Sequence, residues 1–212
     1  MKINEIKGAY NAIYSLGENC IPALKLRKFN LREFAGPLDW VGSPNLPKVT
    51  NLLRTNFSNF LISDHLIVPQ YASDEDLLVV DTVNHISFNH DFKTHENTLN
   101  HLPSLPQVQA KYEKRINHFI ETQSNSERLL FIRTEANIKD TLELENILSQ
   151  LVKYNFCILI VNHSKVTEIV ELDWKIKNVC AIEMPNEEIW EGNDLLWERI
   201  FQGITLISDK FN

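Results

Sequence analysis

The chain has 212 residues, which is long enough for one domain to bury a sizeable hydrophobic core. Its composition is that of an ordinary globular protein, with 43% hydrophobic and 23% charged residues and a net charge of −7. No apolar run reaches the ~20 residues that a membrane-spanning helix needs. Basic residues do not cluster, which argues against nucleic acid or an anionic membrane as a partner.

The three cysteines, Cys20, Cys157 and Cys180, indicate a reducing compartment. Their number is odd, and no two of them form a C-x-x-C pair. Residues 1–7 alternate charged with apolar residues and lack the apolar core of a signal peptide. We therefore expect a cytoplasmic protein, because thiols stay reduced in that compartment.

The first predicted element is a short buried strand at residues 12–16, which is closed by Gly17. A helix follows with a proline in its first turn, where the missing N–H of proline costs nothing. Asn19 or Cys20 would occupy the N-cap of this helix, and the helix would end near residues 29–30.

A second helix is predicted at residues 48–61, after the loop at 36–40, because large apolar residues recur there on one helical face. Strands are predicted at 77–80 and 86–88, with a turn between them. Residues 94–106 carry asparagines and prolines, which favour an exposed loop.

The second half of the chain alternates amphipathic helices with continuous apolar strands. The predicted helices lie at 107–123, 140–152, 165–172 and 194–207, and the predicted strands at 129–132, 156–161 and 179–182. This alternation predicts a single α/β domain over residues 1–212, with a mainly parallel sheet flanked by helices on both faces. A papain fold differs, since a helical half there faces a β-barrel half.

The carboxyl ends of such strands are where ligands bind in parallel sheets. Residues 17–20, 133–135 and 162–163 all fall at such ends. Cys20 would lie in the first turn of a helix, where the helix dipole and free N–H groups favour a thiolate. The alternative is a small, inert residue packed beneath the turn.

Arg133 and Glu135 follow a buried strand directly. An arginine at this place can bind a carboxylate or phosphate in a crevice. The alternative is an ion pair between Arg133 and Glu135 at the surface, which would stabilise the fold only slightly.

His90 follows a predicted strand and is a candidate general base. Asp91 is its neighbour, and consecutive strand residues point to opposite faces, so Asp91 could orient His90 only in a turn. In the loop at 36–40, Asp39 stands beside Trp40, and such a pair can line a sugar or peptide cleft. Alternatively, Trp40 packs in the core.

The sequence favours neither a metal nor a cofactor. His85, His90 and His95 recur at a five-residue interval that matches no usual zinc spacing. Gly17 stands alone, whereas a dinucleotide-binding turn needs three glycines, and no phosphate-binding loop motif is present. We therefore expect no metal and no cofactor.

Several short motifs together resemble an uncharacterised, mostly bacterial family described as papain-like cysteine peptidases. The resemblance covers SLGENC at 15–20, LR at 31–32, GPLDW at 36–40, NHDF at 89–92, the helix at 112–119 and LFIR at 130–133. It implies Cys20 as the nucleophile and His90 as the base, with a thioester intermediate that water resolves.

The leading hypothesis is a cysteine-dependent hydrolase or acyltransferase. Cys20 would be its nucleophile and His90 its base, with Asp39 or Asp91 orienting His90 and Arg133 binding an anionic group. The further candidates for substrate binding are Ser15, Gly17, Asn19, Trp40 and Glu135.

Two alternatives leave Cys20 with a structural role only. One is a sugar- or phosphate-handling α/β enzyme of surface polysaccharide metabolism, and the other is a non-catalytic binding domain. The substrate, whether a small molecule, a peptide or a glycan, and the oligomeric state do not follow from the sequence.

Overall fold

The computed structural model describes residues 1–207, in which five α-helices and eleven β-strands are formed. Helices α1 to α5 span Ile21–Lys28, Leu46–Arg54, Leu105–Asn125, Ile138–Leu151 and Asp194–Phe201. Strands β1 to β11 span Gly8–Tyr10, Ala12–Ser15, Val41–Gly42, Leu66–Tyr71, Leu77–Asp81, Ile86–Phe88, Arg128–Thr134, Asn155–Ser164, Val170–Leu172, Val179–Pro185 and Ile204–Leu206. None of the helices in this part of the chain is long and apolar enough to cross a membrane.

The central sheet has five strands in the order β2-β7-β8-β10-β9. The first four are parallel, and β9 is an antiparallel edge strand beside β10. Strand β7 carries six successive buried residues, as expected for a strand covered on both faces. The predicted α/β class is confirmed.

Two hydrophobic cores meet this sheet on opposite faces of β7. Leu129 and Phe131 belong to a core that includes residues of α3 and α4. Leu130 and Ile132 belong to a second core, which includes residues of α1 and α5. Because successive strand residues point to opposite faces, the unbroken apolar run of β7 supplies both cores at once.

A second sheet is antiparallel throughout, in the order β3-β6-β5-β4, and β1 pairs with β11 in a separate parallel pair. The prediction of one mainly parallel sheet is therefore wrong for this part of the chain. The strands predicted at 77–80 and 86–88 are present as β5 and β6. The other two leave no clear pattern in the sequence, because β3 has only two residues and β4 is largely exposed.

The second helix is shorter than predicted, since α2 ends at Arg54 rather than near residue 61. Asn56, Phe57 and Leu61 have φ angles of 48°, 59° and 60°. Such left-handed conformations interrupt an α-helix. Phe57 is nevertheless buried, so the apolar pattern indicated burial correctly and secondary structure incorrectly.

Two predictions in the last third are also wrong. Residues 165–172 form no helix, and Val170–Leu172 instead makes the edge strand β9. Helix α5 ends at Phe201, and β11 follows where the helix was expected to continue. In α4, Asn137 is the N-cap residue, and its side-chain oxygen accepts a hydrogen bond from the Asp140 amide at 2.9 Å.

One buried side chain joins the two larger sheets. Arg133 ends the apolar run of β7 and has no accessible surface. Its Nη1 donates to the carbonyl of Leu16 at 2.9 Å and to Ser43 Oγ at 3.0 Å, and its Nη2 donates to the Ser43 carbonyl at 2.7 Å. Since Ser43 directly follows β3, the guanidinium fastens the antiparallel sheet to the central one.

Gly17 lies against this junction. Its φ is +79°, and a Cβ added there would lie 2.1 Å from Ser43 Oγ. Ser43 Oγ also accepts from Arg133, so it cannot move aside without breaking that hydrogen bond. The position therefore requires glycine both for its backbone conformation and for the close approach.

We expect Gly17→Ala to lower the free energy of unfolding by about 2–4 kcal/mol, from backbone strain plus overpacking. Urea denaturation measures the free energy of unfolding of each variant. Gly203→Ala is the matched control, because its φ is +82° but the nearest atom, Lys7 Cδ, lies 3.7 Å from the added Cβ. The control should lose only about 1–2 kcal/mol, the strain alone. Equal losses in the two variants would contradict the close contact at Ser43.

Candidate functional site

Cys20 lies in the loop between β2 and α1, at the N-cap position of the helix. Asn19 Oδ1 accepts from the Ile21 amide at 2.9 Å, so the asparagine side chain helps to begin the helix. Ser15 Oγ accepts from the Gly17 amide at 3.1 Å. The described contacts of Ser15, Gly17 and Asn19 shape the loop, and their predicted contact with a substrate stays a prediction.

The surroundings of Cys20 favour the thiol over the thiolate. The residue is half-buried, and this burial, together with the charges of Asp39 and Asp91, raises the pKa of the thiol to about 11. The thiolate expected from the helix N-terminus is therefore not the favoured form. Desolvation and two nearby carboxylates outweigh the helix dipole.

Asp39 is buried in the loop before β3. One of its oxygens accepts from Arg32 Nε at 2.6 Å and from the Gly36 amide at 2.9 Å. Burial nevertheless raises the pKa of the carboxyl group above its ordinary value. The guanidinium of Arg32 also lies over the ring of the half-buried Trp40, 5.3 Å from its centroid. The Asp39–Trp40 pair thus belongs to a fixed, charged cluster.

Asp91 enters the same cluster from the segment that follows β6. Its side chain is 4% exposed. It forms an ion pair with Lys111 and accepts from the Tyr112 hydroxyl at 2.8 Å. Burial, and then the charge of Asp91, raise the pKa of Tyr112 well above its usual value. Helix α3 therefore holds Asp91 beside the thiol.

Arg115 lies on the same helix as Tyr112, and its guanidinium carbon is 5.1 Å from the centre of the Tyr112 ring. The charge of Arg115 acts on both Tyr112 and Asp39. Within residues 1–207, Arg115 Nη1 is buried and has no hydrogen-bond partner. Arg115 was not among the site residues predicted from the sequence.

Together with Cys20, these groups form one constellation, the thiol cluster. Its members are Cys20, Arg32, Asp39, Asp91, Lys111, Tyr112 and Arg115. Its α3 members could have been found from their spacing. Lys111 lies four positions and Tyr112 three positions before Arg115, which places both beside Arg115 on the surface of an α-helix.

His90 stands outside this network of contacts. Its side chain is exposed, and it forms no hydrogen bond with any residue of the described range 1–207. The bonded oxygens of Asp39 and Asp91 are held by Arg32, Gly36, Lys111 and Tyr112 instead. The roles of His90 as base and of either carboxylate as its orienter stay predictions.

Arg133 and Glu135 do not pair with each other. Burial lowers the pKa of Arg133 to about 10, while Glu18 and Glu135 act in the opposite direction. Glu135 forms a hydrogen bond with His163 Nδ1 and accepts from the His163 amide at 3.2 Å. Both terminal nitrogens of Arg133 donate within the protein. The substrate-binding roles of Arg133 and Glu135 stay predictions.

A metal centre is not formed by the side chains that the structure describes. In the range 1–207, no group of three or more His, Cys, Asp or Glu side chains is arranged to hold a metal ion.

The raised pKa makes a direct prediction about Cys20. At pH 8, iodoacetamide should alkylate Cys20 about 100-fold more slowly than an unperturbed cysteine, because only the thiolate reacts. The rate should rise about tenfold for each pH unit up to about 10. Cys20 should still react before Cys157 and Cys180, which are buried. Peptide mass spectrometry resolves the three sites.

Asp39→Asn should accelerate the alkylation of Cys20, since it removes a negative charge that raises the pKa of the thiol. Asp74→Asn, a change at an exposed carboxylate between β4 and β5, is the control and should leave the rate unchanged. A fast, pH-independent reaction of Cys20 near neutrality would show that the thiolate is favoured after all.

Comparison with known proteins finds a viral relative and a matching protein family. An uncharacterized protein of Acanthamoeba polyphaga mimivirus is 24% identical over 211 residues, covering 88% of this chain and 95% of the viral protein. No solved structure matches the chain. The predicted bacterial source and cytoplasmic location stay predictions. A family model matches residues 11–166 and thus includes all members of the thiol cluster. The chain therefore belongs to the family described as "Putative papain-like cysteine peptidase".

Proposed function

We propose that the protein is a cysteine-dependent hydrolase of amide or ester bonds, in which Cys20 is the nucleophile. The observation that carries the proposal is the placement of a half-buried thiol beside two buried carboxylates. Cys20 lies between the carboxyl end of β2 and the start of α1, and ligands bind at the carboxyl ends of the strands in parallel sheets. Membership of the family supports a cysteine hydrolase.

The proposed reaction has two steps. In the first, Cys20 Sγ forms a bond to the substrate carbonyl carbon, and the thiol proton passes through a base to the leaving amine or alcohol. In the second, water attacks the thioester, its hydroxyl group joins the acyl carbon and its remaining proton returns to sulfur. No cofactor is needed to balance these steps.

The resting thiol needs a base in the first step because it is protonated at neutral pH. We propose Asp39 for this role. Its charge acts on the thiol, and its raised pKa makes it a stronger base than an ordinary aspartate. The family resemblance implies His90 instead, and the two proposals differ in which variant loses activity.

The alternative of a sugar- or phosphate-handling enzyme receives less support. It rested on the helix start after Gly17, on the Asp39–Trp40 pair and on Arg133 as the anion-binding residue. The guanidinium of Arg133 is fully buried, with both terminal nitrogens bonded to the protein. If the activity test fails, a non-catalytic binding domain is the hypothesis that remains.

Hydrolysis of p-nitrophenyl acetate tests the proposal. Cys20→Ala should reduce the rate to that of buffer, and an acyl adduct should be detected on Cys20 in the unaltered protein by mass spectrometry. Cys157→Ala is the matched control, because this cysteine is buried in the core, and it should retain activity. Equal hydrolysis by Cys20→Ala and Cys157→Ala would exclude Cys20 as the nucleophile.

The identity of the base is tested with the same assay. Asp39→Asn should lower kcat by about 10²–10⁴-fold, the usual contribution of a general base, and should change the pH–rate profile. His90→Ala should change kcat little. The reverse result would assign the base to His90, as the family resemblance implies. Circular dichroism and thermal melting check that each variant is folded.

A further inference from the structure

The thiol cluster contains one more positive than negative side chain. Asp39 is paired with Arg32, and Asp91 is paired with Lys111. Arg115 is the third cation, and it forms no ion pair with a carboxylate in the described range 1–207. A guanidinium group stays charged at any ordinary pH. The cluster therefore holds a single uncompensated positive charge.

This charge is linked to the two carboxylates that act on the thiol. Arg115 acts electrostatically on Asp39 and on Tyr112, and Asp39 in turn acts on Cys20. The Tyr112 ring, over which the Arg115 guanidinium lies, donates its hydroxyl to Asp91, the second carboxylate beside the thiol. The guanidinium of Arg115 is thus linked to the thiol by two routes, one through Asp39 and one through Tyr112 and Asp91.

Arg115 has a hydrogen-bond donor that a ligand could use. Its Nη1 atom has no solvent contact and no acceptor, and a buried donor without a partner costs free energy. The residue as a whole is half-buried, so part of its side chain faces solvent. An acceptor on a bound substrate would satisfy the nitrogen and compensate the charge.

We propose that Arg115 is a specificity-determining residue that binds a carboxylate of the substrate, close to the carbonyl carbon that Cys20 attacks. This inference rests on the proposed hydrolase function and names the substrate class as acyl compounds or peptides that carry a carboxylate beside the scissile bond. A carboxylate brings one negative charge, which equals the surplus of the cluster. A phosphate would bring a second negative charge, for which the thiol cluster has no further unpaired cation.

A pair of esters tests the proposal. p-Nitrophenyl succinate carries a free carboxylate, and its methyl ester does not. The unaltered protein should hydrolyse the acid with a kcat/KM about 10- to 100-fold higher than that of the methyl ester, the range expected for charge-assisted hydrogen bonds. Arg115→Met should abolish this preference, and Arg115→Lys, which retains the charge, should keep part of it.

Lys114→Met is the matched control. It removes a positive charge from the neighbouring position of α3, on an exposed side chain that belongs to no ion pair within residues 1–207. The preference for the acid should be unchanged in this variant. Equal kcat/KM values for the two esters, or a preference that survives in Arg115→Met, would overturn the assignment.

A second measurement does not depend on turnover. Butyrate at millimolar concentrations should slow the alkylation of Cys20 by iodoacetamide more than the neutral butyramide does, and only when Arg115 is present. Equal effects of butyrate and butyramide would overturn the inference, and equal protection by inorganic phosphate would overturn its carboxylate assignment. If neither ester acylates Cys20, the hydrolase function is wrong, and this alkylation result alone decides the role of Arg115.

Discussion

The buried guanidinium of Arg133 is the interaction on which the arrangement of this protein depends. It follows the apolar run of β7 and donates to Leu16, before the Cys20 loop, and to Ser43, after β3. A buried charge without partners would be costly, so the two peptide segments are held where its donors require them. Gly17 allows the close approach that this geometry demands. The cysteine loop is thus fixed by a contact that involves no cysteine.

The candidate site illustrates how an α/β fold assembles a polar cluster from distant segments. The thiol comes from the loop after β2, one carboxylate from the loop before β3, and the other from the segment after β6. Helix α3 then supplies Lys111, Tyr112 and Arg115, which hold or compensate those carboxylates. The antiparallel sheet is what carries Asp91 to this position. Without that sheet, the central sheet would present a thiol but no acidic neighbours.

The sequence predicted the features that depend on local patterns. The long apolar runs of β7, β8 and β10 and the amphipathic α3 and α4 were found, because burial leaves a periodic signal. Cys20, Asp39 and Asp91 were singled out from short motifs, and the charges of both carboxylates act on the thiol. The antiparallel sheet was missed, although its strands β5 and β6 were predicted, because β3 is very short and β4 is largely exposed. Arg115 was missed because the carboxylate on which its charge acts, Asp39, lies 76 positions away in the chain. The exposed position of His90, which forms no hydrogen bond within residues 1–207, is likewise set by the fold and could not be predicted from the sequence.

The protonation state of Cys20 has a consequence for the survival of the protein under oxidative stress. Peroxide oxidises thiolates rather than thiols, and the first product, a sulfenic acid, leads on to irreversible forms. A cysteine with a pKa of about 11 is almost entirely a thiol in a neutral medium. Burial of the sulfur, and then the charges of Asp39 and Asp91, therefore protect it from peroxide.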